Sequence, residues 1–188
     1  PCRSHDVERA VLDLQHFTGN RPVRLFYSDN APELVSAAQH LGWPHDTSIP
    51  EVSQTNGRIE RYLQLVEEGT RTVLLAAGLP HVWWPYAIQY FVFARNITPR
   101  ATSHDSQYEK RFKSGPFPGL TPPFGLLVHF VPGKRLAKRL GKFEPLGVPG
   151  LFMGWKVNNG QYWAKSYLVV LLSDLQSGTH GGTVHVHN

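Results

Sequence analysis

The sequence has 188 residues, 41% of them hydrophobic, with five Trp, one Cys and a formal net charge of +5. Such a chain can bury a core as one domain, or as one plus a small appendix, and a single cysteine excludes an internal disulfide framework and a Cys-rich zinc ribbon. The longest apolar runs, such as residues 167–172, fall far short of a membrane-spanning helix, and no signal peptide is expected at its start.

The charge is unevenly spread. Residues 1–94 carry seven Arg, no Lys and ten acids, a net −3, whereas residues 95–188 carry twelve basic residues and four acids, a net +8. An acidic half joined to a basic half suits metal binding or catalysis on one side and polyanion contact on the other. Solvated basic surface is the plainer alternative.

In chain order, Val7, Ala10, Val11 and Leu14 recur at helical spacing, so a helix is expected over 4–17, ended by Gly19 and Pro22. A short apolar strand follows over 23–27. Asn30 with Glu33 three residues on resembles an N-cap opening a helix to about Leu41. With Asn30 as cap, Asp29 is left free at the strand's carboxyl end, where open α/β sheets place their ligands; the alternative is an acid that only solvates the turn. A second short strand is expected over 43–49. From about Asn56 a helix runs to Ala77 with Ile59, Tyr62, Leu63, Val66, Val73, Leu74 and Ala77 as its apolar stripe, and Gly78 ends it. Glu60 lies off that stripe near the helix start, where the macrodipole favours any acid. Gln64, Glu67 and Arg71 share its face.

Residues 80–96 form a further helix rich in aromatics, which at helical spacing read as core rather than as a platform for bases. Residues 98–123 are rich in Pro, Gly, Ser and charge and read as a linker. Beyond it the period becomes that of strands, over 124–131, 150–157 and 166–172, for a small antiparallel sheet or partial barrel. Between the first two lie Lys134, Arg135, Lys138, Arg139 and Lys142 with no acid among them. Such a segment suits contact with a phosphate backbone; the alternative is a solvated loop that guards a sheet edge. Residues 177–188, including His185 and His187, read as a disordered tail.

Taken in order, residues 28–99 resemble the integrase core of copia-type retrotransposons, a branch of the retroviral integrase superfamily. The matching residues are Ser28-Asp29-Asn30, then Gly42, His45, Ser48 and Pro50, then Gln54, Asn56-Gly57 and Glu60-Arg61. Ala77-Gly78-Leu79-Pro80, Trp84, Ala87, Asn96 and Pro99 continue the series. Phe124-Gly125, Phe152-Met153-Gly154-Trp155 and Tyr167-Leu168-Val169 are similar to the small β region that follows this core, so the resemblance spans about residues 5–175.

The resemblance implies an α/β chain with an RNase H-like core and an Asp-Asp-Glu site for Mg²⁺ (or Mn²⁺), in which Asp29 matches the second acid and Glu60 the third. It implies 3′-end processing and strand transfer on double-stranded DNA, a homo-oligomer in the full-length protein, no membrane, and a nuclear destination reached from a cytoplasmic virus-like particle. Arg58, Arg61 and the basic residues from Lys134 to Lys142 are the expected phosphate contacts. Three departures mark a truncated copy: no residue fills the position of the first Asp, the interval from Asp29 to Glu60 is short, and Leu63 stands where Asn is usual. The expected layout is a partial core over 1–97 with its early strands missing, a linker, a basic β module over 124–176 and the tail. Two acids cannot hold two Mg²⁺ as three do, so the chain alone is expected not to turn over. The first rival reading is a DNA-binding or docking remnant that relies on the β module, and the second is a structural domain whose basic segment is only surface. No Gly-x-Ser-x-Gly elbow or phosphate-binding loop points to other chemistry.

Overall fold

A computed structural model describes residues 6–47, 53–101, 103–133, 141–176 and 184–187, with side chains for all of these except 53–56, 58, 176 and 184–187. The described chain is mixed α/β, with six α-helices and two small sheets. It divides into two compact units, one of residues 1–64 and 157–163, the other of 65–156 and 164–188. This departs from the expected break after residue 97. The long third helix and a β-hairpin each contribute to both units.

In the first unit, α1 (Val7–Thr18) starts where the Asp6 carboxylate accepts the Glu8 N–H at 3.0 Å, a side-chain cap on an otherwise orphan donor. The strand β1 (Phe26–Ser28) is shorter than its apolar run suggests, and its described ladder partner is β2 (His45–Thr47). They pair in parallel, Phe26 with His45, Tyr27 with Asp46 and Ser28 with Thr47, with α2 (Pro32–Leu41) as the crossover. The cap of α2 is Ala31 and not Asn30. Pro32 at the first helical position explains this, since its fixed φ and absent N–H suit that site without a capping side chain. Gly42 closes α2 in the left-handed conformation, with its N–H on the Gln39 carbonyl and the Trp43 N–H on the Ala38 carbonyl. Helix α1 packs on α2, whose Ala37 and Ala38 are fully buried.

Helix α3 (Ser53–Ala77) begins three residues earlier than its apolar stripe predicts. The stripe is buried only in its second half: Leu74 is in the core, whereas Ile59, Tyr62 and Leu63 are 42%, 49% and 59% exposed.

The second unit has a core of Leu74, Trp83, Ala87, Phe124, Met153 and Val170. A 3-10 turn over His81–Trp83 leads into α4 (Trp84–Ile97), whose Ala87, Phe93 and Ile97 are buried. The four-stranded sheet runs in sequence order through β3 (Leu127–Phe130), β4 (Val148–Asn158), β5 (Tyr162–Leu171) and β6 (Val184–His187), with α6 (Leu172–Gln176) before the last strand.

Two expectations are corrected here. The described part of residues 98–123 contains a short helix and two buried side chains, Ser106 and Tyr108, where a linker is expected. Ser106 opens α5 (Gln107–Phe112) with a reciprocal capping box to Glu109, and Tyr108 is buried against Phe93, Phe112 and Phe117. The Leu120 carbonyl accepts the Trp155 indole N–H at 2.9 Å, and its N–H donates to the Tyr167 hydroxyl at 2.9 Å. Tyr90 donates to the Pro122 carbonyl at 3.1 Å, and burial pushes its phenol above the ordinary value against a lowering backbone interaction with Phe124. The tail is also not disordered throughout: Val184–His187 pairs antiparallel with β5, Val170 opposite Val184 and Tyr167 opposite His187, because β5 offers an open edge there.

Gly19 ends α1 at φ 60, and a Cβ there would stand 2.9 Å from the Gly160 Cα at the tip of the β4–β5 hairpin. Gly19→Ala is therefore expected to lower stability by about 1–3 kcal/mol in a urea melt. The capping box gives a second expectation. The Ser106 N–H, and then its hydroxyl, hold the Glu109 carboxyl below its ordinary value. A depressed folded value means stability present above the unfolded value and lost as pH falls through the folded one. Amide exchange over 107–112 should accelerate in that acidic window, and Glu109→Gln should flatten the response.

Candidate functional site

The β1–β2 pair sorts its side chains by strand alternation. On one face the Phe26 ring stacks on His45, centroids 5.2 Å apart and 25° between planes, and buried Ser28 lies with its Oγ 2.9 Å from His45 Nε2. On the other face Tyr27 and Asp46 are exposed neighbours, and an Asp46 oxygen accepts the Thr47 N–H at 2.9 Å. Asp29 follows directly on the carboxyl end of β1 and is exposed. Its carboxylate makes no hydrogen bond or ion pair with a described residue.

Glu60 is the eighth residue of α3, so it sits about two turns in rather than in the first turn. The macrodipole, which fades within the first turn, no longer accounts for an acid there. Glu60 is exposed and, like Asp29, bonds no described residue, whereas Glu67 on the same helix holds Arg71 at 3.4 Å. Asp29 and Glu60 belong to the same compact unit and come from different elements of it. Arg61 beside Glu60 is exposed.

Of the other expected phosphate contacts, Lys142 is exposed in the second unit, its Nζ 5.7 Å from the neighbouring Phe143 ring. Lys134, Arg135, Lys138 and Arg139 lie outside the described residues, as does the side chain of Arg58.

Two exposed carboxylates with no partner among the described residues are the donor type that a hard cation such as Mg²⁺ takes. Their number is short of a full set: among the described residues no three His, Cys, Asp or Glu gather in a metal-binding group. The Ser28–His45 bond and the exposed Asp46 beside Tyr27 were not singled out from sequence as parts of this region. Both depend on a parallel register that no local pattern encodes.

Comparison with known proteins gives the chain relatives. It is 35% identical over 117 residues to the retrovirus-related Pol polyprotein from transposon RE1 of Arabidopsis thaliana, a match that covers 58% of this chain and 8% of the relative. It is 31% identical over 140 residues to the corresponding polyprotein from transposon RE2 of the same plant, covering 72% of this chain and 9% of the relative. No protein-family model matches. The chain is thus related to transposon Pol polyproteins and spans less than a tenth of the length of either. Among the described residues no helix is long and apolar enough to cross a membrane.

Exposed acids with no protein partner contribute little to stability. Asp29→Asn and Glu60→Gln should each shift the unfolding free energy by no more than about 0.5 kcal/mol in urea. A loss of about 2 kcal/mol or more would give them a structural role instead.

Proposed function

We propose, starting from the relation to transposon Pol polyproteins, that this chain is part of an integrase-type polynucleotidyl transferase that processes and joins DNA 3′ ends. The observation that carries the reading is the pair of exposed carboxylates in one unit, without a partner among the described residues, Asp29 at the carboxyl end of a strand and Glu60 on α3. The β1–α2–β2 crossover followed by a long helix supports an RNase H-like core, and the series of residues shared with copia-type integrases supports the assignment within Pol.

In this reading Asp29 and Glu60 hold Mg²⁺ (or Mn²⁺) through carboxylate oxygens. When bound, the cations supply activation of water or a DNA 3′-hydroxyl and stabilisation of the leaving oxygen. Asp29 would supply one carboxylate from the strand end and Glu60 the other from the helix. Arg61 and Arg58 flank Glu60 and hold the adjacent phosphates of double-stranded DNA. The basic run from Lys134 to Lys142 neutralises backbone phosphates of element or target DNA at a distance from the acids in sequence. The chain supplies two of three acids, so the isolated chain binds DNA and metal without turning over, and the full-length protein acts as a homo-oligomer. The nucleus is its site of action, after assembly in a cytoplasmic particle.

The net +8 of residues 95–188 favours one other reading, a DNA-binding remnant with no metal site. The experiment combines metal and DNA binding. Asp29→Asn with Glu60→Gln should abolish Mn²⁺ binding seen by water-proton relaxation and leave duplex affinity unchanged. Neutralising Lys134, Arg135, Lys138 and Arg139 together should flatten the slope of log affinity against log salt by about 3–4. Mn²⁺ binding that ignores both acids would favour the remnant, and an unchanged salt slope would remove the basic run from either account.

A further inference from the structure

We propose that Ser28 and His45 form a positioning clamp for Asp29, which deepens the metal-site reading above and rests on it for its functional consequence. Ser28 ends β1, is only 6% exposed, and has two polar neighbours. Its Oγ lies 2.7 Å from the carbonyl oxygen of Asp29 and 2.9 Å from Nε2 of His45.

A hydroxyl has one proton to donate, and a carbonyl oxygen can only accept. Two oxygens 2.7 Å apart repel unless a proton lies between them, so the Ser28 proton points to the Asp29 carbonyl. The lone pairs of Oγ then face His45, and Nε2 must carry the hydrogen that fills that gap. The histidine is therefore a donor to Ser28 and not its base. This excludes a nucleophilic serine at this place and leaves a directed chain from imidazole to hydroxyl to carbonyl.

The imidazole is itself held. Phe26 stacks on it, and His45 is the register partner of Phe26 across the ladder. The chain of bonds thus spans from β2 to β1 and ends on the peptide group that follows Asp29. A peptide plane is rigid, so tying the Asp29 carbonyl limits rotation on one side of its Cα, while the strand limits it on the other. What remains is a fixed direction for the Asp29 Cβ. A two-stranded ladder gives little rigidity alone, so this side-chain bridge has a larger share of the positioning than it would in a wide sheet. Groups that orient a metal-binding side chain typically change metal affinity about 10–100-fold when removed.

The test uses the full chain, with Mn²⁺ alone as the metal probe. Nitrogen-15 NMR should show His45 as the Nε2–H tautomer, and Asp29 should have a backbone order parameter near about 0.85. Ser28→Ala and His45→Ala should lower that order parameter. Ser28→Thr keeps a hydroxyl and His45→Gln keeps an N–H of similar reach, so both should restore it. Water-proton relaxation should show Mn²⁺ held about tenfold more weakly by the alanine variants and near wild-type affinity in the conservative ones. A melt followed by circular dichroism separates an unfolded variant from a loosened one; if His45→Ala unfolds, Ser28→Ala, which deletes one oxygen, decides. An Nδ1–H tautomer, or an Asp29 order parameter that both alanine variants leave unchanged, overturns the clamp whatever the metal does. If Asp29→Asn binds Mn²⁺ as wild type does, the metal-site reading fails and the NMR result alone decides the clamp. If Mn²⁺ binding needs Asp29 but both alanine variants match wild type, the clamp is overturned and the metal site stands.

Discussion

The parallel register of β1 against β2 is the constraint from which the first unit's arrangement follows. Setting Phe26 beside His45 puts Ser28 within reach of the imidazole and turns Tyr27 and Asp46 to the opposite face. A parallel pair requires a crossover, and α2 supplies it between a proline start and a left-handed glycine end. Asp29 is then the first residue released from the ladder, with its backbone tied and its carboxylate in solvent. Nothing in that sequence of events needs a special property of the aspartate itself. Its availability is a consequence of where the strand stops.

The second unit rests on a different principle, aromatic packing around a segment that looks like connecting chain. Trp155, Phe93, Phe117 and Tyr108 meet edge-on or tilted, with ring centroids 5.1–6.2 Å apart. The backbone at Leu120 and Pro122, which has no ladder of its own, is satisfied by side chains from the surrounding elements. These indole and phenol groups tie a Pro- and Gly-rich stretch, itself largely exposed at Leu120, to the aromatic cluster.

Helix α3 shows how the two principles divide the chain. Its stripe is continuous in sequence, yet Leu74 is in a core and Ile59, Tyr62 and Leu63 stand largely in solvent. The exposed portion lies in the unit that contains Glu60 and Asp29. Apolar residues beside Glu60 give this helix surface a mixed character that neither charge nor hydropathy alone describes.

The amino-acid sequence by itself determined the helices with strong period and clear ends, the alternation of strand and helix before residue 78, and the kinship with transposon Pol proteins through residues scattered in order from Ser28 to Val169. These signals are local, or are sums of many local matches, so they survive without coordinates. Tertiary structure alone decided the pairing of β1 with β2, the burial of Ser106 and Tyr108 within residues 98–123, the strand at Val184–His187 and the bond between Ser28 and His45. Each depends on a partner distant in sequence: a ladder neighbour, an aromatic from another element, an open sheet edge. Composition reports what a residue prefers, and only the fold reports what it meets.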